Sequence, residues 1–294
     1  MKFTKLLLLF LIAFNCFSQE KTISGEIKDA QTNSILEYVN VGINNKNAGT
    51  VSSSKGIFNL KLNDKVGAND TIVFSHVGYN SKKIIVNQLK QEKNLILLEP
   101  SDNMLKEVVI KFKQPKPKQF GRSAKGLSLM HSNFYYALDK DVDDRLSREK
   151  GMKFKIKKDC KLNDFNFNIT SNEFKSVKFR LNFYKIENDL PTNLIVDKDI
   201  IFEVKNGFRG LYTLDLKPFD IYLDKEMGDI AVTIQWIESV KENEKSKFFA
   251  ISTAMSATET SFYREKNRSN WYKSGQSLTF TSTQCVNNNI DLSI

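Results

Sequence analysis

The 294-residue sequence predicts an all-β protein made of two sandwiches in tandem. Three observations carry that prediction. Residues 22–99 break into short apolar stretches with turn clusters between them, at roughly 8–12-residue spacing. Residues 177–183 and 230–236 alternate apolar and polar side chains with a period of two, as strands with one buried face do. Helical spacing is confined to 134–148, where Leu138, Val142 and Leu146 recur every four residues, and reads as a short helix or an irregular insertion.

The first element is an expected signal peptide over residues 1–18. Lys2 and Lys5 precede an apolar run from Leu6 to Phe14, and Cys16 and Ser18 are the small residues flanking a cut after Ser18. The run is about half of the roughly 20 residues that a spanning helix needs. A lipoprotein signal wants small residues before its cysteine, where this chain has Phe14 and Asn15. The expectation is an exported protein of the periplasm or outer membrane, with no transmembrane segment in the mature chain.

Residues 19–100 form the first predicted sandwich. Its strands are marked by Ile23 and Ile27, by Tyr38 to Ile43, by Val51, by Ile57 to Leu62, and by 71–75, 83–86 and 95–98. The order Ile23-Ser24-Gly25-Glu26-Ile27, Ile35 to Val41, Gly49-Thr50, Lys55-Gly56-Ile57-Phe58-Asn59-Leu60 and Val77-Gly78-Tyr79 resembles the carboxypeptidase regulatory-like domain of Bacteroidetes envelope proteins. That resemblance implies an N-terminal transthyretin-like seven-stranded sandwich. Gly56 suits a turn position with φ > 0, and Gly78-Tyr79 a tight corner plugged by an aromatic. Ser52-Ser53-Ser54 replaces the acidic or Asn turn residue of the family, so a capped turn is expected there and an ion is not.

Residues 101–150 read as a basic linker and irregular insertion. Seven basic residues lie between Lys106 and Lys125, with Pro115 and Pro117 among them. Leu105 to Ile110 resembles the segment after the same domain in TonB-dependent outer-membrane receptors, but the many ~10-residue lipid-facing alternations of such a barrel do not follow. Residues 151–294 form the second predicted unit, a C-terminal antiparallel β-sandwich of jelly-roll-like type with about eight strands.

The formal charge of +10 and the 22 phenylalanines describe a basic globular chain. Nucleic acid is not an expected partner of an exported protein. A catalytic zinc site needs two or three His or Glu ligands at fixed spacing. His76 and His131 are the sole histidines and neither begins a ligand pair. There is no Gly-x-Ser-x-Gly elbow. Asp139, Asp141, Asp143 and Asp144 alternate like a calcium loop but lack its glycine and distal Glu. No catalytic, metal or cofactor residues are therefore assigned, and the chain is expected not to be an enzyme.

Two pairs remain as candidates. Cys160 and Cys285 form either one disulfide or two separately buried thiols. Trp271 and Tyr272 follow a polar stretch and are the candidate ligand contact, whereas Trp236 is in phase with a buried face. The expected role is a non-catalytic accessory or interaction module with a cell-envelope protein partner. The alternative is a carbohydrate-binding module of the cell surface.

Overall fold

The computed structural model describes residues 21–101, 116–121, 130–255 and 260–286. The expected signal peptide and most of the basic linker lie outside the described residues. Strands dominate, with short 3-10 turns between them. Among the described residues no helix is long and apolar enough to cross a membrane.

The first domain has the seven expected strands: β1 (Lys21–Asp29), β2 (Asn40–Ile43), β3 (Gly49–Val51), β4 (Ile57–Leu62), β5 (Thr71–Ser75), β6 (Lys82–Ile85) and β7 (Asn94–Leu98). They make a three-stranded sheet, β4-β1-β7, and a four-stranded sheet, β3-β2-β5-β6. Strand β4 shows the cause in its alternation. Phe58, Leu60 and Leu62 are buried, while Ile57, Asn59 and Lys61 face out. The inward side chains meet Ile23, Ile27, Val41, Ile72, Phe74 and Ile96 in one core. Gly56 has φ +71 in the turn entering β4, and Ser53 Oγ accepts from the backbone N–H groups of Lys55 and Ile57. The serine turn is capped as expected. Gly78 has φ +80, and the following Tyr79 donates its hydroxyl to Asp29 at 2.8 Å, closing the corner.

The second domain contains β8 (Lys116–Gly121), β9 (Met130–Asn133), β10 (Glu149–Lys155), β11 (Cys160–Leu162), β12 (Asp164–Asn172), β13 (Phe174–Glu187), β14 (Leu190–Leu194) and β15 (Ile200–Lys205). It continues with β16 (Gly210–Asp215), β17 (Tyr222–Leu223), β18 (Asp229–Lys241), β19 (Phe249–Met255), β20 (Ser261–Arg264), β21 (Tyr272–Ser274), β22 (Gln276–Leu278) and β23 (Phe280–Val286). One sheet runs β14-β13-β18-β10-β20-β21 with β15 also on β13. The other runs β17-β11-β23-β12-β19-β22, with β16, β8 and β9 added on β12, β23 and β19. Phe165, Phe167, Phe179, Phe183, Trp236, Phe249 and Phe280 fill the space between the sheets.

Two expectations change here. The alternation picked out about half of these strands: β17, β21 and β22 have only two or three residues, and β14 buries Pro191 alone, so none of them carries a pattern. Part of the supposed linker and insertion belongs to the sandwich: β8 pairs with β23, and β9 with β19. Residues 134–148 hold no α-helix, only a 3-10 turn at Val142–Arg145 capped by Asp141.

The domains dock along the outer face of β13 and β18. A register shift between Lys178 and Phe179 leaves Ile237 as an extra residue on β18. Such a bulge re-aims a side chain, and Ile237 is buried with Tyr38 and Val51 of the first domain. Around this contact Arg180 donates to the Tyr38 carbonyl at 2.8 Å, and Gln235 to Asn40 Oδ1 at 3.0 Å. Gly42 and Gly49 lie so close to the Asn267 carbonyl that an added Cβ would sit 2.5 and 2.9 Å from it.

Candidate functional site

A cleft of about 150 Å³ lies between the two sheets of the second domain. Strand register assembles it. Lys150 on β10 stands opposite Tyr263 on β20, which stands opposite Tyr272 on β21. Directly opposed residues share a face, so the three side chains form one row that ends at the exposed Tyr272. The Tyr263 and Tyr272 rings stack at 5.3 Å. The neighbouring row is Met152, Ser261 and Ser274. Ser132 from β9 and Tyr136 complete the walls.

Lys150 is buried because it is in phase with Met152 and Phe154, whose side chains fill the core. Its ammonium donates to Ser132 Oγ at 2.9 Å and to the Asn133 carbonyl at 2.6 Å. It also lies 5.4 Å from the Phe134 ring centroid and 5.1 Å from that of Tyr136. Burial, with Arg148 nearby, pulls its pKa down to about 8, against the weaker opposing fields of Glu265 and Asp139. Burial pushes the Tyr136 phenol up, so it stays protonated and able to donate.

Behind the cleft sits a compact charge cluster. Arg148 forks onto both oxygens of Asp139 at 2.9 Å and reaches Glu265 at 3.1 Å. Arg145 lies 3.4 Å from the same Asp139 carboxylate and against the rings of Tyr135, Phe174 and Trp236. Burial disfavours the Asp139 charge, but the hydrogen bonds from Arg148 and the Tyr136 backbone outweigh it and hold the carboxyl below its usual range.

On the opposite face of β10, Glu149 is fully buried. It receives Arg264 at 2.6 and 2.8 Å, Asn182 at 2.8 Å, the Tyr184 hydroxyl at 3.3 Å and the Thr233 hydroxyl. These donors saturate the carboxylate, as a structural buried acid requires.

The sequence candidates separate. Tyr272 belongs to the cleft row. Trp271, its neighbour in sequence, packs instead on Tyr184 at 5.5 Å and on the Arg264 guanidinium at 4.4 Å, where it covers the Glu149 network. Cys160 is a buried free thiol whose register partner is Val286; the Cys285 side chain lies outside the described residues. Burial and the neighbouring Asp159 push the Cys160 pKa up to about 12. The aspartates of the calcium-like spacing serve other ends: Asp139 holds the arginines, and Asp141 and Asp144 both bind Lys61 of the first domain at 2.9 Å. His76 sits at the domain interface, 3.5 Å from Asp199. His131 is an exposed residue of β9. Among the described residues no group of three or more His, Cys, Asp or Glu side chains gathers as metal ligands.

Residues 23–110 match the family model described as CarboxypepD_reg-like domain, so the first sandwich is a domain of that kind. A search of curated proteins finds no match. Among solved structures, the chain is similar to the cysteine protease and lectin-like domains of Cwp84, a surface layer associated protein of Clostridium difficile, with 11% identity and a TM-score of 0.41. That match covers 81% of this chain and 46% of the other. A second similarity, to a structure of infectious bursal disease virus Gt strain, has 10% identity and a TM-score of 0.25, covering 91% and 63% of the two chains. The chain thus spans less than two thirds of either structure.

Proposed function

We propose that the protein is an exported, non-catalytic accessory protein of a bacterial cell envelope. In this reading the regulatory-like domain holds the C-terminal sandwich in a fixed pose, and the C-terminal sandwich recognises the partner. The observation that carries it is the use of Tyr38, Asn40, Gly42 and Gly49. These residues of the regulatory-like domain face β13, β18 and Asn267 of the same chain, so that face serves its neighbour in cis. The saturated Glu149 carboxylate supports a structural role for the best-buried acid of the second domain. Chemical crosslinking in cells followed by capture of the full chain tests the reading. A reproducible envelope protein is expected, and its absence across replicate captures counts against the proposal.

One observation favours a second reading, carbohydrate binding. The stacked Tyr263 and Tyr272 rings stand beside hydroxyl-bearing walls, and flat aromatic faces with nearby hydroxyls suit sugar rings. Binding to a glycan array, lost in Tyr272→Ala, is the expected result. An array that stays silent removes this reading.

A further inference from the structure

We propose that the Lys150 cleft binds the carboxylate of an acidic sugar, with the Lys150 ammonium as its partner and Tyr263 and Tyr272 along the sugar ring. The proposal rests on the carbohydrate reading above and narrows it from sugars in general to carboxylated ones.

Three features of the cleft lead there. An ammonium has three N–H donors, and Lys150 places two of them, on Ser132 and Asn133. Among the described residues no carboxylate forms an ion pair with it. The charges nearest Lys150 do not neutralise it: Arg148 opposes its charge, and Asp139 and Glu265, which favour it, are already bound by the arginines. A buried cation without a counter-charge is costly, and a monoanion in the cleft would supply one. Finally, the row of Lys150, Tyr263 and Tyr272 runs from the buried ammonium to the surface.

The surroundings select the kind of anion. Arg148 is forked by Asp139, and neither it nor Arg145 lines the cleft, so the cleft offers one ammonium and hydroxyl donors, without the guanidinium forks typical of phosphate sites. That set matches a single carboxylate. The hydroxyls of Ser132 and Tyr136 in the lining match the ring hydroxyls of a sugar. The volume of about 150 Å³ equals roughly five waters at about 30 Å³ each, which seats the carboxylate end of a sugar and leaves the rest of the ring toward the exposed Tyr272.

Isothermal titration of the full chain with four probes tests this: glucuronic acid, its methyl ester, glucose and acetate. Glucuronic acid is expected to bind at least tenfold more tightly than the other three, and Lys150→Met to erase the difference. Should that variant fail to fold, the wild-type chain labelled with 15N-lysine gives a second readout: glucuronic acid shifts the Lys150 side-chain resonance and the methyl ester does not. Equal binding of acid, ester and glucose would overturn the anion assignment while leaving the carbohydrate reading intact. Acetate binding as well as glucuronic acid would overturn the sugar assignment. No binding by any probe would end both.

Discussion

The Lys178 ammonium donates to the Tyr38 hydroxyl at 2.7 Å, although the two residues belong to different domains and lie 140 positions apart. The same hydroxyl donates to Glu238 at 3.1 Å, and Lys178 and Glu238 pair directly at 2.7 Å. Burial opposes the Lys178 charge, but bonds to Glu238 and Tyr38 outweigh it and raise its pKa. Tyr38 also has φ 52, a left-handed conformation rare for a bulky residue. Strain of that kind persists where the surroundings over-determine it, and the Arg180 bond to the Tyr38 carbonyl does so here. Tyr38→Phe deletes the hydroxyl alone and is expected to cost about 1–2 kcal/mol. The check is a lower urea midpoint at unchanged slope, with the loss reduced when Lys178→Met is already present.

The two interface glycines give a sharper test of docking. A Cβ at position 42 would stand 2.5 Å from a backbone oxygen, which has no rotamer by which to yield. Gly42→Val is expected to separate the domains and to enlarge the radius of gyration in small-angle scattering. Gly67→Ala, where the nearest atom to the new Cβ is a carboxylate oxygen 3.9 Å away, should leave the radius unchanged.

Glu149 is the counter-charge of a buried guanidinium, so neutralising it strands Arg264. Glu149→Gln is expected to destabilise the fold by about 3–5 kcal/mol. The pair Glu149→Leu with Arg264→Met removes both charges and should recover much of that loss. Chemical denaturation of the two variants measures the difference.

Much of this was legible in the residues, and the failures share a cause. Gly56, Gly78 and Tyr79 announced their turns because backbone conformation is a local property. The alternation in 177–183 placed Arg180 and Asn182 together on a polar face, and they do share one. The alternation leaves that face half-solvated, yet Arg180 is 3% exposed and Asn182 6%: Arg180 is bonded to Tyr38 of the first domain, and Asn182 to the buried Glu149. Periodicity says which residues share a face; it does not say what lies over it. Trp271 and Tyr272 are adjacent in sequence, yet Trp271 precedes β21 and turns to Tyr184 and Arg264, while Tyr272 opens the strand and stacks on Tyr263. The signal for Lys150 was present, since it precedes Met152 and Phe154 at a spacing of two. The boundary expected between 150 and 151 instead cuts through β10, which spans Glu149–Lys155.

Lys150 and Lys266 also set a pH dependence. Burial pulls both to about 8, whereas an unfolded lysine titrates near 10.5. Between those values the unfolded chain binds more protons than the folded one, so stability rises with pH. Below about pH 8 the cost of holding both charges is fully present. Above pH 9 the raised pKa of Cys160 works the other way, because the unfolded thiol ionises first. Urea midpoints should therefore climb between pH 8 and 9, and climb less in Lys150→Met. A midpoint falling through this window contradicts the assignment.

The contacts of Tyr38, Asn40, Gly42 and Gly49 lock the regulatory-like domain to the C-terminal sandwich as one unit. Differential scanning calorimetry of the full chain measures this locking most directly. A single transition is expected, with calorimetric and van't Hoff enthalpies in agreement. Two resolved transitions, with residues 21–101 melting independently of the second domain, would contradict it.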